Sequence, residues 1–222
     1  MVKLTMIAFF TLWTMSNYEP VTDAERMGLK AKVKSMTETM FFVEPNFTFK
    51  ETSYFDEKGN LTRRQFYEYH IDFDGTETTA ESDYESYQIV SPELTTYSIF
   101  ERGRITKEGE IARVAEYKFI RKENEFGTYQ QEIVSEYNSK WELIHLHRKA
   151  LVNGDSTNIK MNYNYKKGEL KTIHAHDLIR NEKSILELKN HQYDKHKNLI
   201  FVENYEDGKL LYTSTCEMQY HH

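Results

Sequence analysis

A chain of 222 residues with 14% aromatic side chains and only three prolines does not have a disordered composition, and it suits one all-β domain, a class that often runs to about 200–250 residues. A formal charge of −6, with no lysine or arginine run longer than two, excludes the electrostatic footprint of a nucleic-acid binder. The single cysteine, Cys216, excludes an internal disulfide framework and a cysteine-based zinc site, and a mean hydropathy of −0.74 spreads the apolar material thinly. An extended sheet with one well-packed face is expected before a thick core, and the sixteen tyrosines suit it, because a ring packs on a pleat while its hydroxyl stays in water.

At the N-terminus, Lys3 precedes the apolar run from Leu4 to Met15, and the chain turns polar at Ser16. That is the form of a secretory signal, too short for the ~20 residues of a membrane span. Residues 1–16 are expected to be cleaved, leaving an exported product, periplasmic or extracellular, with no membrane span. The alternative is an apolar first strand of a cytoplasmic protein. Residues 17–28 follow as a short linker, in which Thr22-Asp-Ala-Glu25 reads as a capping box and Gly28 as a stop.

Residues 29–220 read as a single β-meander domain. Leu29, Ala31 and Val33 alternate with Lys30, Lys32 and Lys34, the period of a half-buried strand, and three lysines on one face suit an edge strand. Phe47, Phe49 and Phe55 mark a second strand and Arg64 to Ile71 a third. Asp72 to Glu93 reads as a loop-containing region with one strand near Tyr84 to Val90. Leu94 to Phe100, Glu110 to Arg121 and Thr128 to Asn138 are further strands, with turns placed at Gly103, Gly109 and Gly127. Then come six strands, Trp141–Val152, Ser156–Tyr165, Glu169–Ile179, Ser184–Tyr193, Leu199–Tyr205 and Lys209–Tyr220, joined by connections of two to five residues. Such spacing makes neighbours antiparallel: an all-β meander of consecutive hairpins in one extended, curled or rolled sheet, with a short N-terminal helical turn.

One phrase recurs, in Tyr54-Phe-Asp-Glu-Lys-Gly-Asn-Leu61, Tyr165-Lys-Lys-Gly-Glu-Leu170, Tyr193-Asp-Lys-His-Lys-Asn-Leu199 and Tyr205-Glu-Asp-Gly-Lys-Leu210. An aromatic precedes a turn containing a residue tolerant of positive φ, and Leu restarts the strand. On these residues the chain resembles the YD-repeat-like β-meander proteins, exported and uncharacterised, of Bacteroidetes-type bacteria, although the Tyr-Asp pair itself is intact only at Tyr193-Asp194. The resemblance implies an exported meander and carries over no catalytic residue.

The sharpest chemical candidates are histidines. His145 and His147, and His174 and His176, each place two imidazoles on one face of a strand, a spacing able to hold a metal ion. With a strand between the two pairs, about 9–10 Å apart, four histidines are not expected to converge on one ion. Solvated outward histidines are the plainer reading, and neither a metal nor a cofactor is called. The carboxylate pairs Glu123 and Glu125, and Asp72 and Asp74, lie two apart, as acid–base chemistry would require, and a solvated face explains them equally. No Gly-x-Ser-x-Gly elbow, phosphate-binding glycine loop or His-Glu-x-x-His occurs.

The remaining candidate is the tyrosine-rich sheet face, with Tyr67, Tyr69, Tyr163 and Tyr165 as i, i+2 pairs suited to stacking on a sugar or docking a protein. The expectation is therefore a non-enzymatic exported module with a protein or glycan partner. The alternatives are a toxin-immunity or accessory protein acting by stoichiometric protein binding, and an uncharacterised hydrolase.

Overall fold

The computed structural model describes residues 21–44, 47–71, 77–79, 83–125, 129–152 and 154–221. One helical turn, α1 (Asp23–Arg26), precedes fifteen strands. They are β1 (Val33–Phe42), β2 (Phe47–Phe55), β3 (Leu61–Ile71), β4 (Glu77–Thr79), β5 (Tyr84–Ser91), β6 (Leu94–Glu101), β7 (Arg104–Ala115) and β8 (Lys118–Glu125). The later ones are β9 (Tyr129–Tyr137), β10 (Leu143–Val152), β11 (Asp155–Lys166), β12 (Glu169–Asp177), β13 (Glu182–Tyr193), β14 (Leu199–Glu206) and β15 (Lys209–Tyr220). The all-β meander is thus present, and the six C-terminal strands lie within a few residues of where alternation and turns place them.

The meander closes on itself. From β5 to β15 each strand pairs with the next, β2 pairs with β1 and β3, and β15 returns to β1 over Val33–Phe42, antiparallel throughout. β4 is a three-residue addition to the far half of β3, whose first half pairs with β5 at Arg63–Gln65, so fourteen of the fifteen strands form a closed barrel. Closure satisfies the backbone donors and acceptors that an open meander would leave on its two outer strands.

Three expectations are corrected here. β1 is flanked on both sides and is not an edge strand. It begins at Val33, because Ala31 takes a left-handed φ of 63° and breaks the alternation from Leu29. Gly109 is not a turn: it lies within β7 opposite Tyr97, and the chain reverses instead between Ala115 and Lys118. The glycine is there to admit a ring, since a Cβ at position 109 would stand 2.4 Å from Tyr97 Cζ and from the Lys122 carbonyl oxygen.

The recurring phrase resolves into two kinds of turn. At Lys167-Gly168 and Asp207-Gly208 both central residues have positive φ, as does Arg102-Gly103, the two-residue form that matches strand twist. The longer form is a five-residue loop in which an Asx side chain holds the backbone two and four residues on. Asp56 Oδ1 accepts from Lys58 N and Asn60 N, both 2.9 Å, and Asp194 Oδ1 from His196 N and Asn198 N, both 2.8 Å. Asn138 repeats the pattern with Lys140 and Glu142, a third copy in which Trp141 takes the left-handed position held by Gly59 and Lys197 in the other two.

These long loops share one end of the barrel, and the segment containing α1 crosses it. The capping box forms, with Thr22 Oγ1 accepting from Glu25 N. On one side Ala24 N donates to the Gly59 carbonyl (2.9 Å) and Leu61 N to Asp23 Oδ2 (2.7 Å). On the other, fully buried Asn198 accepts from Lys30 N (2.5 Å) and donates to its carbonyl (3.1 Å). Beneath this strap Ala24, Val33, Met36, Phe55 and Leu61 form the core cluster, with Leu29, Met218 and Tyr220 packed against it. At about 1.5–3 kcal/mol for each large buried side chain, this floor is a principal source of stability.

Candidate functional site

Cross-strand partners share a face, so the register sorts every strand into an inner and an outer set. The inner set contains most of the buried residues, including Val33, Ser53, Glu85, Tyr97, Phe119, Glu123, Leu188, Val202 and Asn204. The outer set is mixed, with an apolar row Leu94, Ala112, Ile120, Val134 beside charged ones. One cross-strand row runs Glu110, Lys122, Glu132, Lys149, Asn158, alternating in sign from β7 to β11.

On the inner wall from β2 to β8 lies a buried ionic network. Arg64 Nε is 2.8 Å from Glu51 Oε1 and Arg64 Nη1 3.7 Å from Glu85 Oε2. Arg121 Nη2 reaches Glu85 Oε1 at 2.8 Å and Glu123 Oε2 at 3.0 Å. Tyr97, over Gly109, donates to Glu123 Oε2 (2.9 Å) and accepts from Arg121 Nε (2.9 Å), and the Tyr87 hydroxyl donates to Glu85. Burial would weaken the Arg121 charge, yet Glu85 and the surrounding groups hold its pKa above the ordinary arginine value. Burial raises Glu51 despite Arg64, and Glu38, its inward cross-strand partner, together with Glu85 adds to the rise. Burial with Glu38 alongside likewise pushes the Cys216 thiol up to about 12, which leaves it protonated and unreactive.

The wall from β9 to β1 is richer in apolar and aromatic residues, with Asp177, Glu206, Asn204 and Ser214 set among them. Ile133, Leu146, Ile159, Met161, Ile173 and Leu186 succeed one another across the inner register. Burial, helped by the phenols of Tyr165, Tyr137 and Tyr212, pushes the Tyr163 hydroxyl up to about 12. At the end opposite the strap Phe42 stands 4.9 Å from Tyr212 and 5.8 Å from Phe47, ring centre to ring centre, and Phe49 stands 6.1 Å from Phe66. These rings are only partly buried, and inward Arg148 is exposed, so water reaches the lumen from this mouth. Arg148 lies between Ile133 and Ile159, and its Nε donates to Gln131 Oε1 at 2.7 Å.

The tyrosine candidates divide between the faces. Tyr163 and Tyr165 point inward, opposite Ile173 and Leu170. Tyr67 points outward opposite Lys50 and lines a shallow groove of about 460 Å³ with Tyr54, Thr37 and Thr52. The side chain of Tyr69 lies outside the described residues, as do that of Glu125, residues Asp72 and Asp74, and the N-terminal segment 1–20.

All four candidate histidines point outward. They form two rows with β11 between them: His145, Asn162, His174 and His147, Lys160, His176. His145 Nδ1 shares a hydrogen bond with Asn162 Oδ1 and His147 Nε2 with Asn158 Oδ1, both 2.7 Å. Among the described residues no three His, Cys, Asp or Glu side chains come together to hold a metal.

Sequence reasoning did not find the ionic network. Its one visible trace is parity, since Glu85 and Tyr87, and Arg121 and Glu123, are i, i+2 pairs on single strands, but nothing in the sequence says that β3, β5 and β8 converge.

No protein-family model and no curated protein matches the chain, so the resemblance to YD-repeat-like proteins rests on the turn phrase alone. Solved structures with a similar backbone include a porin-like protein from Bacteroides uniformis, with a TM-score of 0.49 and 6% identity, covering 86% of this chain and 99% of that one. At that level the likeness has no bearing on function.

Proposed function

We propose that this protein is a non-enzymatic, exported binding barrel whose recognition surface is the inner wall, reached through the aromatic mouth. The observation that carries the reading is the charge borne by outward rows of the sheet opposite an aliphatic stretch of the inner wall. The outer rows are charged in mid-strand, at Lys122, Glu132, Lys149 and Lys160, where lipid contact would cost roughly 2–4 kcal/mol for each lysine at the bilayer midplane. Facing the lumen, Ile133, Leu146, Ile159, Met161, Ile173 and Leu186 give the β9–β13 part of the wall an apolar surface. A circular ring of this many strands, about 4.8 Å apart and tilted by about 40°, is roughly 27 Å across, wider than facing side chains fill. A barrel standing in water, floored by the α1 strap and open at a mouth of phenylalanines, is built to shelter something apolar. Glu51, Glu85 and Glu123 are committed to Arg64 and Arg121, which suits a supporting role better than acid–base catalysis.

The test is binding of the neutral apolar dye N-phenyl-1-naphthylamine to the full chain. Dye fluorescence should rise, the rise should fall at least several-fold in Phe49→Glu, and Tyr67→Ala should leave it unchanged. A rise insensitive to Phe49→Glu refutes the lumenal reading.

A second reading keeps a protein or glycan partner on the outer face. It is favoured by the groove that places Tyr54 and Tyr67 beside Lys50, where a sugar ring or a partner's side chain would stack. Loss of such a partner in Tyr67→Ala, with dye binding intact, would select it.

A further inference from the structure

We infer that the lumen takes a single-chain amphiphile with an anionic head, a fatty carboxylate being the simplest, with the head on Arg148 and the tail along the aliphatic wall. The inference rests on the lumenal reading above and adds the ligand class.

Arg148 differs from the other arginines on the inner wall. Arg64 and Arg121 are each paired with two carboxylates. The guanidinium of Arg113 donates from Nε and Nη2 to the Glu116 carbonyl, at 3.1 and 2.7 Å, and lies over Phe119 and Trp141. Arg148 has the neutral amide of Gln131 and, among the described residues, no carboxylate partner. Its cross-strand neighbours on the same face are Ile133 and Ile159, and Leu146 follows it along β10. A cation with four of its five donors unspent, set into an aliphatic wall and open to water, is complementary to an anionic group attached to something apolar. From there the inner register leads through Leu146 and Met161 to Ile173 and Leu186, away from the β2–β8 wall and ending beside Glu206, with Asp177 across Ile159. A tail laid along that path buries methylenes at about 0.8 kcal/mol each, while the carboxylate keeps a bidentate partner.

The probes are dodecanoate and dodecanol, which share a tail and differ in the head, titrated calorimetrically into the full chain and into Arg148→Gln and Arg148→Lys. A charge-assisted hydrogen bond of about 1.5–3 kcal/mol corresponds to roughly 10- to 100-fold in affinity. Dodecanoate should therefore bind the unaltered protein about tenfold or more tightly than dodecanol. The preference should vanish in Arg148→Gln and survive in part in Arg148→Lys, with dodecanol binding the same throughout. Equal affinity for the two probes, or a preference that survives Arg148→Gln, overturns the inference. If the neutral dye binds through the mouth while dodecanoate shows no preference, the head-group assignment falls alone. If neither dye nor dodecanoate binds, the lumenal reading falls with it.

Discussion

Gly109→Ala separates packing from propensity more cleanly than any other substitution in this barrel. Position 109 is mid-strand and its φ is not positive, so alanine meets no backbone strain, and propensity alone predicts a gain of about 0.5–1 kcal/mol. The surroundings predict the reverse. A Cβ there lies 2.4 Å from Tyr97 Cζ, Tyr97 Oη and the Lys122 carbonyl oxygen, all closer than van der Waals contact allows, and the carbonyl belongs to the β7–β8 ladder. Tyr97 is 2% exposed. Moving it breaks the hydrogen bonds to Glu123 and from Arg121 that close the network. Overpacking costs about 1–3 kcal/mol and a charge-assisted hydrogen bond about 1.5–3 kcal/mol, so a net loss of about 2–5 kcal/mol is expected after the propensity gain. At about 2–4 °C per kcal/mol for a chain of this size, Tm should fall by roughly 4–20 °C. Urea unfolding followed by far-ultraviolet circular dichroism measures the loss, and Tyr97→Leu combined with Gly109→Ala should recover at least about 1 kcal/mol relative to additivity. A Gly109→Ala protein as stable as the unaltered chain would refute the close packing of Tyr97 on β7.

Two further outcomes follow from the ionisable groups. Burial holds Glu51 above the ordinary carboxyl range, so the folded chain keeps this proton to higher pH than the unfolded chain; the stability it contributes is full below the ordinary value and is lost as pH rises through the raised one. Relative to Glu51→Gln, the unaltered protein should lose stability in urea titrations as pH rises above the ordinary carboxyl range, and the opposite trend would mean that the pair with Arg64 outweighs burial. For the histidine rows, Lys160 and Asn162 occupy the strand between the pairs, so calorimetric titration with zinc should show no micromolar site; a site abolished by His147→Ala together with His176→Ala would show the rows folding together.

Much of this architecture was legible in the residues because β-structure is written locally. Alternation with period two places strands, and short Gly-, Asn- and Asp-bearing turns force neighbours to be antiparallel, so β10 to β15 follow from side-chain parity and turn chemistry. The same parity puts His145, His147, His174 and His176 outward, since Leu146 and Ala175 between them belong to the apolar side. Local signals mislead where one residue serves two purposes: Gly109 has the composition of a turn but leaves room for a ring from β6, and the alternating lysines near Lys32 mimic an edge strand.

What the tertiary structure alone decided is the closure of β1 on β15 and everything inside it. Whether a meander stays open or closes depends on the accumulated twist and stagger of all its strands, a quantity that no window of sequence contains. Closure converted a tyrosine-bearing face into a lumenal wall, brought Arg64 and Arg121 to a shared Glu85, and left Arg148 as an inward cation with an amide for its partner. The periodicity determined which side chains share a face; only the ring determined that one of those faces is an interior.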